Sequence, residues 1–102
     1  STQAKTLFPY TTLFRSAIKK DFKRIKASPR HAQDIDQRLG AVVALLADDM
    51  SLPDSCRDHA LVGNWKGYRE CHVKPDLLLI YNAEEPDTLH LARLGSHSEL
   101  FR

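Results

Sequence analysis

The 102-residue sequence has little of what marks several special classes of protein. Its two cysteines, Cys56 and Cys71, are too few for a disulfide framework, and we interpret them as reduced thiols. The apolar run at residues 77–81, like every other apolar run in the sequence, is far shorter than the roughly 18 residues that a membrane span needs. The first residues lack the charged region, the apolar region and the cleavage site of a secretion signal. These absences predict a soluble cytoplasmic protein.

The composition favours one folded domain. Apolar residues make up 42% of the chain, which excludes a disordered protein. Four glycines and five prolines are too few for collagen-like repeats. A chain of this mass buries roughly 65% of the area that its unfolded form exposes, enough for a core without disulfides or metal.

The charges are segregated along the chain, although the net charge is only +2. Residues 15–30 carry seven basic side chains and one acidic one, a net +6. Residues 31–56 carry one basic and five acidic side chains, a net −4. A block of one sign is typical of a solvated helix face, and equally of a surface that binds a polyanion or an acidic partner. The charge pattern leaves both interpretations open.

Two amphipathic helices are predicted before residue 50. Apolar residues recur at helical spacing from Ile18 to Ile25, and we expect Ser16 to cap this helix. Ser28 and Pro29 are typical of the start of the second helix, in which the helical spacing continues to a pair of aspartates.

A loop is predicted at residues 50–64. Three antiparallel strands are predicted to follow it, at residues 65–73, 77–82 and 88–94. The turns between them are short, which makes successive strands antiparallel neighbours. The middle strand is apolar on both faces, so we expect helices on one side and a filled cleft or second apolar layer on the other.

The first residues require a separate interpretation. Residues 6–16 read TLFPYTTLFRS, which resembles the translation of a sequencing adapter. We therefore interpret residues 1–15 as a non-native N-terminal extension and residues 16–102 as a single domain. Residues 11–14 nevertheless have strand-forming side chains that could take the place of a lost first strand.

Side chains suited to acid–base chemistry on phosphates are concentrated in the second half of the chain. They include His59, His72, Asp76 and His97. Metal-free RNA cleavage needs a base for the 2′-hydroxyl proton, an acid for the departing 5′-oxygen, and cations beside the phosphorane. Histidine suits both proton roles because its ordinary pKa lies near neutral pH. The cations that we expect to stabilise the phosphorane are Lys66, Arg69 and Arg93.

Three motifs carry a specific resemblance. Residues 57–59 read RDH, residues 63–76 read GNWKGYRECHVKPD, and residues 93–101 read RLGSHSELF. With these motifs, residues 16–102 resemble the YafQ branch of the RelE family of bacterial toxins. The resemblance implies an α+β fold in which two N-terminal helices pack on a twisted antiparallel sheet of three to four strands.

The resemblance also implies a function and the residues that carry it. The expected function is a ribosome-dependent endoribonuclease, the toxin of a type II toxin–antitoxin system, which cuts mRNA in the ribosomal A site. We expect His97 to be the general acid, Asp76 or His59 the base, and His72 to orient the phosphate or stabilise its charge. Phe101 would stack on or wedge against a nucleobase, or alternatively close the edge of the core. The expected phosphate contacts are Lys66, Arg69 and Arg93.

The implied partners are mRNA, the ribosome and a cognate antitoxin, with operator DNA bound only through the toxin–antitoxin complex. No cofactor and no membrane partner are expected. The lysines of the first helix would meet ribosomal RNA or an acidic partner. One position departs from the pattern, since Leu77 stands where the branch often carries tryptophan, which removes an aromatic surface near the site.

Cleavage of free RNA without ribosomes is less favoured, since the net charge is modest for a stand-alone nuclease. Two further alternatives remain. The first is a catalytically weakened toxin-fold binding module, which acts with its antitoxin as a transcriptional co-repressor and cuts no RNA. The second is a zinc site built from Cys56, His59, Cys71 and His72. Adjacent strand residues point to opposite faces, and no second close pair completes a tetrahedral set, so we expect no metal.

Overall fold

The computed structural model describes residues 11–85 and 87–101. Its regular elements, in chain order, are strand β1 (Thr11–Phe14), helices α1 (Ser16–Lys26) and α2 (Ile35–Ala47), strands β2 (His59–Ala60), β3 (Arg69–Lys74), β4 (Leu77–Asn82) and β5 (Thr88–Gly95), and helix α3 (His97–Leu100). Short 3₁₀ turns at Asp54–Cys56 and Gly63–Trp65 lie on either side of β2. The predicted α+β class is confirmed.

The five strands form one mixed sheet in the order β1-β5-β4-β3-β2. Strands β2 to β5 are antiparallel neighbours, whereas β1 runs parallel to β5. The prediction of three to four antiparallel strands and two helices is corrected to five strands in a mixed sheet and three helices. The additions are short: β2 has two residues and α3 has four, too few for a periodic pattern.

Several predicted boundaries are also corrected. Strand β3 begins at Arg69 and not at residue 65, because a 3₁₀ turn is followed by Gly67 with a φ of 93°, a conformation that favours glycine and interrupts a strand. Helix α2 begins at Ile35, since residues 28–34 form successive turns. Ser16 lies inside α1, whose N-cap is Arg15, so the predicted serine cap is wrong.

Helices α1 and α2 cover one face of the sheet. Their buried residues continue the spacing seen in the sequence and include Ile18, Ile25 and Ile35. They pack against alternate residues of the central strands, such as Leu79 and Leu91. Burying each such side chain contributes about 1.5–3 kcal/mol, so this layer supplies most of the hydrophobic stabilisation.

Strand β4 is buried on both faces, as predicted. Leu77 and Leu79 belong to the core beneath the helices, while Leu78 and Ile80 belong to a smaller cluster that includes Leu100 of α3. The partly buried residues that pack on this smaller cluster are Leu61, Trp65, Tyr68 and Phe101. The second apolar layer therefore comes from α3 and the loop before β3.

A carboxylate of α1 completes the edge of the sheet where β1 stops. Strand β1 pairs with β5 only as far as Leu91. Beyond it, Asp21 accepts the Leu94 N–H at 2.9 Å and Arg93 Nε at 2.7 Å. Burial alone would raise the pKa of Asp21, but the hydrogen bonds from Arg93, the Leu94 N–H and Arg24 outweigh it and hold the pKa below its ordinary value. Asp21 thereby joins α1 to β5.

Residues 11–14 of the adapter-like segment form β1 at this edge. Residues 1–10 lie outside the described residues, and the interpretation of residues 1–15 as a non-native extension stays a prediction. In the described part of the chain, no helix combines the length and the apolar character needed to cross a membrane.

Candidate functional site

A cleft of about 400 Å³ lies between the β3–β4 turn and the start of α3. His72, Asp76 and His97 line it. The remaining lining residues are Glu70, Pro75, Leu78, Ser96 and Ser98. Three of the four predicted catalytic residues therefore share one cleft, although they come from a strand, a turn and a helix.

Strand β3 sets the position of His72. Glu70 and His72 are two residues apart on the strand and therefore point to the same face of the sheet. His72 Nδ1 lies 3.3 Å from the carbonyl oxygen of Pro75. Because a carbonyl only accepts hydrogen bonds, Nδ1 carries the proton and Nε2 is left to meet a ligand. The register against β4 shifts just after His72, as is common in strands that re-aim a side chain beside a site.

His59 connects to the cleft through Glu70 instead of lining it. The two residues are cross-strand partners on β2 and β3, and His59 Nε2 lies 3.5 Å from Glu70 Oε1. His59 Nδ1 lies 2.7 Å from the carbonyl oxygen of Arg57, which orients the ring from the other side. Glu70 is only 5% exposed. Sequence analysis did not select Glu70, although its position two residues before His72 was the available signal.

Asp76 lies in the two-residue turn between β3 and β4. Pro75 presets the backbone angle that such a turn needs, and Lys74 and Leu77 are cross-strand partners on either side. The Asp76 carboxylate is paired with an arginine of the α1–α2 loop, with Arg30 Nε at 2.7 Å from Asp76 Oδ2. Arg30 is a second residue of this region that sequence analysis did not assign to the site.

His97 is the first residue of α3, and a capping box fixes the start of that helix. Ser96 Oγ accepts the Glu99 N–H at 3.2 Å, and Glu99 Oε1 accepts the Ser96 N–H at 2.8 Å. The hydrogen bond from the Ser96 backbone holds the pKa of Glu99 below its usual range. The exposed His97 ring lies 5.0 Å from the Phe101 ring, measured between centroids. Phe101 is half-buried on the smaller cluster and supports His97 from that side.

The three predicted phosphate-binding cations lie outside the lining of the cleft. Lys66 is exposed after the 3₁₀ turn. Arg69 is bound by Asp58, at 3.2 Å from Nε and 3.0 Å from a terminal nitrogen. Arg93 is bound by Asp21. Their role as phosphate contacts stays a prediction.

The groups considered for a zinc site do not converge. Cys56 and Cys71 are free and buried, and burial raises the pKa of both thiols. Cys71 faces the core beneath the helices, whereas His72 lines the cleft. Within residues 11–85 and 87–101, no group of three or more histidine, cysteine, aspartate or glutamate side chains could hold a metal ion.

The departure at Leu77 has a structural consequence. Leu77 is 1% exposed and belongs to the core beneath the helices, so this position offers no surface to a ligand. Trp65 packs edge-on against Tyr68, with ring centroids 5.3 Å apart, on the smaller cluster. Trp65 therefore belongs to the apolar layer and does not replace an aromatic group at Leu77.

Comparisons with known proteins agree on one family. The profile of the family described as "Bacterial toxin of type II toxin-antitoxin system, YafQ" matches residues 10–102. The chain is 35% identical to the mRNA interferase toxin YafQ of Escherichia coli K12 over 79 residues, which are 78% of this chain and 85% of that protein. It is 49% identical to a putative toxin YafQ of Haemophilus influenzae over 57 residues, 53% of this chain and only 56% of that protein.

The fold is similar to solved structures of the same family. A chain of the crystal structure of the E. coli DinJ–YafQ toxin–antitoxin complex superposes with a TM-score of 0.79 and 33% sequence identity. The superposition covers 92% of this chain and 99% of that one. The similarity thus extends over nearly the whole fold.

Proposed function

The chain belongs to the YafQ family of bacterial toxins of type II toxin–antitoxin systems, and from this membership we propose its substrate and its reaction. It is an mRNA interferase, an endoribonuclease that cuts mRNA in the ribosomal A site by metal-independent acid–base chemistry. The single observation that carries the proposal is the cleft that His72, Asp76 and His97 share. Because the substrate is mRNA under translation, the protein acts in the cytoplasm.

The proposed reaction begins at the 2′-hydroxyl beside the scissile phosphate. A base accepts the hydroxyl proton while the 2′-oxygen forms a bond to phosphorus. The bond from phosphorus to the 5′-oxygen breaks, and an acid gives that oxygen a proton. The first products are a 2′,3′-cyclic phosphate and a 5′-hydroxyl. The protein must supply one base, one acid and positive charge near the phosphorane.

The cleft geometry supports a division of these tasks. His97 is the general acid, because it is exposed and has the Phe101 ring against it. Asp76 is the base, because it lines the same cleft as His97 whereas His59 does not. His59, the other predicted base, acts through Glu70. His72 orients the phosphate through Nε2, which donates a hydrogen bond when the ring is protonated.

The remaining predicted residues bind the RNA. Phe101 stacks on a nucleobase, the usual role of an aromatic side chain beside unpaired RNA. Lys66 is exposed and meets a phosphate directly. Arg69 and Arg93 are already ion-paired, so each contacts phosphate only through the guanidinium donors that its pair leaves free.

The partners follow from the family and from the charge pattern. The related E. coli protein YafQ forms a toxin–antitoxin complex with DinJ, of which a crystal structure is known. We expect a cognate antitoxin to cover the basic surface of residues 15–30, which has a net charge of +6. Operator DNA is bound only through that complex. On the ribosome, the exposed lysines of α1 meet ribosomal RNA.

In vitro translation with mapped RNA ends tests this function. The wild type should cut mRNA only when ribosomes are present and leave a 5′-hydroxyl on the downstream fragment. His97→Ala should cut about 10²–10⁴ times more slowly, the usual contribution of a general acid. Ser51→Ala, at an exposed position outside the cleft, is the control and should keep most of the activity.

Antitoxin binding completes the test. Both variants should bind the antitoxin like the wild type, because neither change touches the basic surface of α1. A wild type that binds antitoxin and operator DNA but makes no cuts on translating ribosomes would instead be the co-repressor, and the endoribonuclease proposal would be withdrawn.

A further inference from the structure

A second pocket, of about 530 Å³, adjoins the candidate cleft. The residues that line both are Asp76, Ser96 and Ser98. Arg24, Arg30 and His31 also line the second pocket, together with Glu99, whose carboxylate pairs with Arg24 at 3.4 Å. The two pockets form one continuous surface, with the catalytic groups at one end and the exposed guanidinium of Arg30 at the other.

Lys74 fastens the loop that carries Arg30 to strand β3. Its side chain is 13% exposed. Its Nζ lies 3.0 Å from both His31 Nδ1 and Asp34 Oδ1, and it donates to the Arg30 carbonyl oxygen at 3.4 Å. The backbone at Arg30 is therefore held, whereas the Arg30 side chain is 73% exposed. The guanidinium can exchange one partner for another without movement of the loop.

The present partner of Arg30 is a weak one. Exposed ion pairs contribute little, because water and salt compete with them. A phosphodiester accepts two parallel hydrogen bonds from a guanidinium, whereas the contact with Asp76 is made through Arg30 Nε. While the pair is intact, Oδ2 of Asp76 is occupied by Arg30. Release of Arg30 frees that oxygen to accept a proton.

We propose that the second pocket binds the phosphate of the nucleotide next to the scissile linkage, with Arg30 as its ligand. This inference rests on the proposed endoribonuclease function. An RNA strand that enters the cleft carries its next phosphate across the shared residues to Arg30 in the second pocket. Arg30 leaves Asp76 for that phosphate, and the freed carboxylate accepts the 2′-hydroxyl proton. Occupancy of the neighbouring phosphate site thus prepares the base.

Binding of a short RNA tests the inference without cleavage. The probe is a trinucleotide with a 2′-deoxyribose at the scissile position, titrated into the full-length protein. We expect Arg30→Gln to weaken binding about tenfold and to reduce the slope of log K against log salt by about 0.7, the loss of one phosphate contact on a single strand. Arg38→Gln removes an exposed arginine whose nearest acid is Asp34 at 3.8 Å, and should change neither quantity.

An RNA probe whose flanking phosphate is uncharged tests whether Arg30 binds that phosphate. With a methylphosphonate in place of the flanking phosphate, wild-type binding should fall by the same factor, and Arg30→Gln should cause no further loss. Arg30→Gln that binds the charged trinucleotide as tightly as the wild type, with the same salt slope, overturns the inference.

Cleavage on translating ribosomes separates this inference from the proposed function. If the wild type cuts mRNA and Arg30→Gln changes neither cleavage nor binding, the inference falls and the endoribonuclease stands. If the wild type cuts nothing while trinucleotide binding still depends on Arg30, the phosphate pocket stands and the endoribonuclease falls. If both claims are right, Arg30→Gln lowers kcat/KM and Arg30→Lys restores part of it.

Discussion

Replacing Asp21 with asparagine tests how α1 is held to the sheet. Asp21 is 3% exposed and binds Arg93, Arg24 and the Leu94 N–H. Asparagine keeps the shape and one carbonyl oxygen. It removes the charge that faces the two arginines, and its amide group adds donors where the surrounding groups are donors.

The expected loss follows from the burial of the pair. Removing one partner of a fully buried ion pair costs about 3–5 kcal/mol. Arg93 is 32% exposed and can turn to water, and the asparagine oxygen keeps one hydrogen bond, so we expect the free energy of unfolding to fall by about 2–3 kcal/mol. For a domain of this size that is a drop in Tm of roughly 10–20 °C.

The loss has a definite dependence on pH. Because the pKa of Asp21 is lowered in the folded state from its ordinary value of 3.8, its stabilisation is complete well above that value. The stabilisation disappears as the pH falls through the lower, folded pKa. The wild type and Asp21→Asn should therefore differ fully at pH 7 and approach one another in strong acid.

Urea unfolding, followed by circular dichroism at pH 7 and at acid pH, measures the effect. Asp36→Asn is the control, because Asp36 forms an exposed pair with Lys26 on the same helical hairpin and should contribute less than about 1 kcal/mol. Equal stabilities of the two variants at pH 7 would refute the assigned role of Asp21.

Three further predictions follow from the site and the core. Glu70→Gln should change the NMR chemical shifts of the ring of His59, its neighbour at 3.5 Å, and slow cleavage about tenfold; unchanged ring shifts would show that the two residues are not in contact. Phe101→Leu should raise KM more than it lowers kcat, because stacking on a base contributes about 1–3 kcal/mol to binding. A lower kcat with an unchanged KM would contradict stacking. Cys56 and Cys71 should react with a thiol reagent far more slowly in the native protein than in urea, since both are buried; fast native labelling would contradict that burial.

Much of the fold could be predicted because its signals are local. The turn of Pro75 and Asp76 between two apolar runs indicates the β3–β4 hairpin, and the spacing from Ile18 to Ile25 indicates α1. The parallel pairing of β1 with β5 has no local signal, since it depends on a segment at the other end of the chain. Helix α3 did have a local signal in the sequence, because Ser96 and Glu99 form the S-x-x-E pattern of a capping box.

The residues of the candidate site also fall into those that the sequence reveals and those that depend on tertiary contacts. His72, Asp76 and His97 can be selected by residue type and motif, because their chemistry is visible in the sequence. Arg30 cannot be selected from residue type or motif, because its contact with Asp76 depends on how the α1–α2 loop lies against the β3–β4 hairpin. The position of Glu70 two residues before His72 was a signal for the shared strand face, but its contact with His59 depends on the pairing of β2 with β3, and a two-residue strand gives no periodic signal.

The most direct test of the central claim, that one cleft supplies both the acid and the base, is cleavage of an mRNA with sulfur in place of the scissile 5′-oxygen. A sulfur leaving group departs without a proton, so it no longer needs an acid. We expect His97→Ala to be slow on ordinary mRNA and close to wild type on the sulfur substrate, while Asp76→Asn stays slow on both. A His97→Ala variant that remains equally slow on the sulfur substrate would contradict the account.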